Sequence, residues 1–228
     1  MDGIILAGGQ SRRMGREKAA IVIGGSTLLA RAVAVVRAAG AERIVIVGLA
    51  PTSAFAGHGW PSDVAVVADS VTHLGPLRAV IDGMAAFGST PAAFDPNDGG
   101  ICVVMACDHP EPDPQELAML AARLEEERAE TLAALPIVDG RAQPLHAAYR
   151  RASAGPLRQS FEQGERSIAR ALDRLHALDP RLVLMIERGE GTSARSYIDI
   201  DDPTQLANYL AGNGETALGA GFLDGTSG

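Results

Sequence analysis

The sequence is short of the features that mark several large protein classes. It has two cysteines in 228 residues, Cys102 and Cys107, too few for a disulfide scaffold. Both lie in or beside an apolar stretch and read as free, buried thiols of a reducing cytoplasm. No uninterrupted apolar run approaches the ~20 residues that cross a bilayer, and no signal peptide precedes the first apolar segment. Basic residues are outnumbered, 20 Lys and Arg against 28 Asp and Glu, for a net charge of −8. A surface of that sign repels nucleic acid. There is no internal repeat and no clear linker. His73, His109 and His146 lack metal-ligand spacing and read as loop or core residues. The 46% hydrophobic content excludes a disordered chain. These absences predict one cytoplasmic domain over residues 1–211 and a flexible Gly/Thr/Ser-rich tail over 212–228.

Alternating strands and helices are predicted. Ile4–Leu6, Ile44–Val47, Val64–Val67 and Ile101–Ala106 are short runs apolar at every position, as buried parallel strands require. Leu132–Val138, Leu145–Tyr149 and Leu182–Ile186 are further strand candidates. Ser26 reads as the N-cap of a helix ended by Gly40. Pro76 suits the first turn of a second helix. Further helices are read over Pro114–Glu127, Gln159–Gln163, Ile168–Leu178 and Pro203–Leu210, the last capped by Asp202. The pattern predicts βαβ units: an α/β, Rossmann-like three-layer sandwich with a mostly parallel sheet.

In such sheets ligands bind at the carboxyl ends of the strands, and there the residues turn chemical. After the first strand, the run from Leu6 to Lys18 holds three glycines, three arginines and a lysine in a chain otherwise acidic. Glycines let backbone N–H groups approach phosphates, and Arg and Lys neutralise them. Walker A and dinucleotide-fingerprint spacings are both missing. Asp69 follows the third strand, Asp108 the fourth. Asp199 and Asp201 alternate before the last helix, on one face of a strand if that segment is regular. A cationic loop and three acidic loci on one sheet edge suit a triphosphate with Mg²⁺, which takes one or two carboxylates plus phosphate oxygens. Asp108 is the predicted metal ligand.

These residues resemble a known family. Leu6-Ala7-Gly8-Gly9-x-Ser11-x-Arg13-Met14-Gly15-x-Glu17-Lys18 is similar to the nucleotide-binding signature of molybdenum cofactor guanylyltransferases. The likeness continues in order through Gly75-Pro76-Leu77, Cys107-Asp108-x-Pro110, Gln143-Pro144-Leu145 with Tyr149, Gly164-Glu165-Arg166-Ser167 and the Asp199–Asp201 segment. It implies the nucleotide-diphospho-sugar-transferase-like fold and a Mg²⁺-dependent reaction. GTP plus molybdenum-bound molybdopterin would give the guanine dinucleotide cofactor and pyrophosphate. By the resemblance, Leu6, Ala7, Gly8 and Gly9 contact guanine and ribose, and Ser11 belongs to the same nucleotide loop. Arg13 and Lys18 bind the triphosphate, Asp69 and Gly75 line the nucleoside pocket, and Asp108 holds Mg²⁺. Asp199 and Asp201 face the pterin or support the metal. Contacts with other cofactor-biosynthesis proteins or the apo-molybdoenzyme are also implied.

The chain departs from the family pattern at named positions. Glu17 stands where Asp is usual. Val47-Gly48 replaces a strand end that often carries Asn near the base. Asp199-x-Asp201 replaces Asn-x-Asn and looks more like cytidylyltransferase relatives, which usually read Leu-Ala-Ala-Gly at the loop. Gly9 favours the larger purine, because a side chain there would crowd the base. A cytidylyltransferase, a sugar-phosphate nucleotidyltransferase or a non-catalytic nucleotide-binding partner are the alternatives.

Overall fold

The computed structural model describes residues 1–8, 17–50, 52–55, 57, 59–68, 74–88, 98–188 and 194–213. Its spine is an eight-stranded sheet. In chain order come β1 (Asp2–Leu6), a small hairpin β2 (Val22–Ile23) and β3 (Ser26–Thr27), α1 (Leu28–Ala38), β4 (Arg43–Leu49) and β5 (Val64–Ala68). Then follow α2 (Pro76–Ala85), β6 (Ile101–Ala106), α3 (Pro114–Glu126), β7 (Ala133–Val138), β8 (Arg141–Ala142) and β9 (His146–Arg150). The chain continues with α4 (Ala154–Glu162), α5 (Ile168–Leu178), β10 (Val183–Glu187) and α6 (Pro203–Gly212). Strand order is β10-β7-β9-β6-β1-β4-β5, with β8 paired to β7. All neighbours along it are parallel except β9, which runs antiparallel between β6 and β7.

The apolar strand residues alternate faces, and two cores result. Ile4, Val45, Val47 and Val104 pack against α2, α4 and α5, while Ile5, Ile44, Ile46 and Met105 pack against α1 and α3. That is the predicted three-layer sandwich. A third cluster joins Ile21, Ile23 and Leu28 to Ile200, Leu206 and Leu210. It seats the chain's C-terminal part on the β2–β3 hairpin. Full burial of Ile200 alone contributes about 1.5–3 kcal/mol to that seating.

Several expectations shift. Thr27, not Ser26, caps α1, its Oγ1 accepting from Ala30 N; Ser26 belongs to β3 of the hairpin before it. β4 runs past Val47 to Leu49 through a bulge. α4 begins at Ala154, before Pro156; a proline fits there because first-turn N–H groups have no helical partner. The Asp199–Asp201 segment is not a strand: it follows a 3-10 turn, Ala194–Tyr197, and has no ladder. Asp202 caps α6 with a full capping box to Gln205, and α6 extends to Gly212. Cys102 and Cys107 are free and buried, and burial pushes the Cys107 thiol up to about 12.

Candidate active site

Register sets the site. Leu6 is level with Val47 on one side and Ala106 on the other, so β1 and β6 end at one height and β4 passes it by two residues. Two further backbone bonds extend the ladder, Ala7 N to Val47 O at 2.9 Å and Cys107 N to Leu6 O at 3.0 Å. Asp108 is the next residue, its side chain part-buried at this end of the sheet.

Lys18 reaches it from a single 3-10 turn, Lys18–Ala20. Ala19 is buried in the main core and Ile21 in the hairpin cluster; these two anchors fix the turn and leave Lys18 at the sheet edge. Its Nζ donates to Asp108 Oδ2 at 3.0 Å and to Asp201 Oδ1 at 2.5 Å. Burial alone would lower its pKa, but the hydrogen bond to Asp201 and the charge of Asp108 outweigh burial and hold Lys18 above its ordinary range. It stays cationic. Asp199 lies in the same electrostatic neighbourhood. Its carboxyl is pushed up by partial burial and then by Asp201 and Asp108. Ile200 N donates to the Asp108 carbonyl at 3.1 Å, pinning the C-terminal segment to the end of β6.

The nucleotide-loop residues fall partly inside the described chain. Gly9, Ser11, Arg13 and Asp69 lie outside the described residues. Leu6 and Ala7 lead into the site, but the Leu6 side chain is in the core and only its backbone faces the sheet end. Gly8 and Gly48 are pressed together: a Cβ on Gly48 would come 2.7 Å from Gly8 Cα, and Gly48 has φ +90°. No side chain fits at Gly48. The loss of the family's Asn is therefore a packing fact here, and no base contact comes from that position. Gly75, φ +83°, packs on the Arg166 carbonyl, 2.8 Å from where its Cβ would be.

Other motif residues turn out to brace the fold. Glu17 accepts from Ser53 Oγ at 2.6 Å and from Ala54 N at 3.2 Å, holding the loop after β4. Tyr149 is fully buried and donates to the Pro144 carbonyl at 2.6 Å. Glu165 is buried, pairs with Arg170 and Arg174, and accepts from the N–H groups of Arg166 and Ser167. His109 and His146 are core residues, as their spacing suggested. Sequence reasoning missed Glu116 and Tyr197, whose side chains meet behind Asp108; Glu116 carried only the signal of an acidic residue in a first helical turn.

The donor set suits a hard divalent cation. Asp108 and Asp201 converge on one positive atom, so a single cation can bridge them. Among the described residues no group of three or more His, Cys, Asp or Glu is arranged to hold an ion alone; substrate phosphate oxygens complete such a shell, as is usual for Mg²⁺.

Comparisons with known proteins bear on the family and the fold. The MobA-like NTP transferase domain matches residues 3–178. A probable molybdenum cofactor guanylyltransferase from Chloroflexus aggregans is 35% identical over 222 residues, 96% of this chain and 97% of the relative. One from Mycobacterium marinum is 31% identical over 209 residues, covering 89% of this chain and 92% of its own length. Among solved structures, molybdopterin-guanine dinucleotide biosynthesis protein A from Archaeoglobus fulgidus superposes with a TM-score of 0.71 at 23% identity, over 93% of this chain and 100% of its own. A 4-diphosphocytidyl-2C-methyl-D-erythritol synthase from Anaerococcus prevotii gives 0.68 at 12% identity, over 94% and 96%. The two structures share the fold.

Proposed function

The chain belongs to the MobA-like NTP transferase family and is a nucleotidyltransferase, and on that premise we propose that it transfers GMP from GTP to molybdenum-bound molybdopterin, releasing pyrophosphate. The Lys18 bridge between Asp108 and Asp201 is the observation that carries this reading. It puts a retained cation and two carboxylates at the sheet edge where a triphosphate and its metal would meet.

An oxygen of the acceptor's terminal phosphate attacks the α-phosphorus of GTP in line. The new P–O bond forms as the bond to the β-phosphate oxygen breaks, and pyrophosphate leaves with the electron pair. No covalent enzyme intermediate is needed, so positioning and charge stabilisation carry the rate. Lys18 and Arg13 neutralise the triphosphate, with Lys18 near the α-phosphate. Asp108, assisted by Asp201, would hold Mg²⁺, which offsets charge on the leaving group when bound. Gly8 and Gly9 let the backbone pass close to the nucleoside, beside Ser11, Asp69 and Gly75. Asp199 faces the acceptor; partial burial, with the charges of Asp201 and Asp108 beside it, pushes its carboxyl up. Gly9 supports guanine over cytosine. Among the described residues no helix is long and apolar enough to cross a membrane, which accords with a cytoplasmic reaction.

The deciding measurement is pyrophosphate release from GTP and from CTP, with Mg²⁺ and loaded molybdopterin. Release from GTP at tenfold or more the CTP rate is the expected result. Equal or faster release from CTP overturns the base assignment.

A further inference from the structure

Behind Asp108 lies a polar cluster that an ordinary core would not contain. His109, His146, Glu116 and Ser196 are all buried, at 7%, 1%, 4% and 0% exposure. Among the described residues no protein group pairs with Nδ1 of His109, either ring nitrogen of His146, Nε of Arg188 or Oγ of Ser196, all of them buried.

The contacts form a closed circuit. His109 follows Asp108, and its Nε2 is 4.0 Å from Asp108 Oδ1. Its ring meets His146 of β9 edge-on, centroids 5.5 Å apart, and His146 meets Tyr197 at 4.8 Å. The Tyr197 hydroxyl donates to Glu116 Oε1 of α3 at 2.6 Å, and Arg188 Nη2 donates to the other oxygen at 2.5 Å. From Tyr197 the chain passes Asp199 and returns at Ile200, whose N–H donates to Asp108.

We propose that Tyr197 and Glu116 are positioning residues that fix the Asp199–Asp201 segment against the Asp108 turn. The proposal rests on the reading of Asp108 and Asp201 as the metal-binding pair. The segment has no strand ladder, and its carboxylates repel Asp108. Lys18 offsets that repulsion only while it bridges them, and a triphosphate draws its ammonium away. The Tyr197–Glu116 bond, charge-assisted and locked by Arg188, does not depend on Lys18, so it keeps the two carboxylates at bridging distance during turnover.

A control exists elsewhere in the fold. Tyr149 of β9 donates to the Pro144 carbonyl at 2.6 Å, a phenol bond of the same length outside the circuit. The test measures Mn²⁺ affinity by electron paramagnetic resonance, on the full chain with a non-hydrolysable GTP analogue, for wild type, Tyr197→Phe and Tyr149→Phe. Both variants keep the ring and lose a phenol hydrogen bond. Tyr197→Phe should weaken Mn²⁺ binding about tenfold, the lower end of what loss of a group orienting a metal ligand does, and lower kcat with the KM for GTP unchanged. Tyr149→Phe should leave both within twofold while lowering the melting temperature at least as much. Equal Mn²⁺ affinity in the two variants overturns the positioning role. Wild type that binds no Mn²⁺ with the analogue overturns instead the metal-site reading beneath it.

Discussion

The two edges of the central sheet both carry clusters of charge, and they differ in balance. At the amino edge Asp2 takes both Arg43, through bonds of 2.9 and 2.8 Å, and Arg151 at 2.7 Å. Asp98 takes Arg151 at 2.8 Å. Asp2, Arg43 and Arg151 line a cavity of about 680 Å³, together with Glu42, Glu125 and Arg150. At the carboxyl edge, among the described residues, Asp108 and Asp201 bind Lys18, and Asp199 lies close enough to both carboxylates to feel their charge. That void lies at the edge where Asp2 and Asp98 are paired with arginines. Among the described residues the surplus of negative charge lies where strand-end chemistry is expected. Uncompensated like charges are costly unless a ligand resolves them.

Substitutions at each edge can break this contrast. The largest effect is expected for Asp108→Ala: single-turnover pyrophosphate release should fall about 10³-fold, since several kcal/mol of metal-borne stabilisation are lost. GTP affinity should be largely kept. Unchanged turnover would remove Asp108 from the mechanism. Next is Asp2→Asn, which takes the opposing charge from Arg43 and leaves Arg151 with Asp98 alone. Urea titration should show a loss of about 1 kcal/mol while kcat stays within twofold; a lost kcat would erase the distinction between the edges. The smallest effect concerns Glu165, another balanced cluster. The Arg170 guanidinium and the Ser167 and Arg166 N–H groups hold its carboxyl down, from the ordinary 4.5 to about 2. A depressed folded-state pKa contributes stability that is complete above 4.5 and fades as pH falls toward 2. Glu165→Gln should therefore have a flatter melting temperature across that acid window than wild type, with GTP binding at neutral pH unaltered.

Much of this was legible in the chain. Buried parallel strands spell themselves as unbroken Val and Ile runs, so Ile101–Ala106 was read to the residue and Asp108 followed from the strand-end rule. Lys18 stood out as a cation in an acidic chain. The errors have physical causes. Ile198-Asp199-Ile200-Asp201 alternates with the period of a strand. Yet Ile200 is buried in the small hairpin cluster and Ile198 is 40% exposed, so the alternation reflects one anchored residue, not a pleat. Strand direction has no local code, and the antiparallel setting of β9 emerges only from its partners. The Tyr197–Glu116 bond spans 81 residues. Neither residue sits in a motif, so nothing local could have joined them.

The sheet order also bears on how the chain is made. Of the sheet's strands, β1 is made before the others yet ends in the middle, between β4 and β6. One of its edges is covered once Leu49 has emerged, but the other waits for Ala106, several seconds later at about 5–20 residues per second. β7 emerges before β9, the strand that must lie between it and β6. During that interval the nascent chain shows an open Ile- and Val-rich strand edge, the kind of surface on which holdase chaperones act and strand-swapped dimers begin.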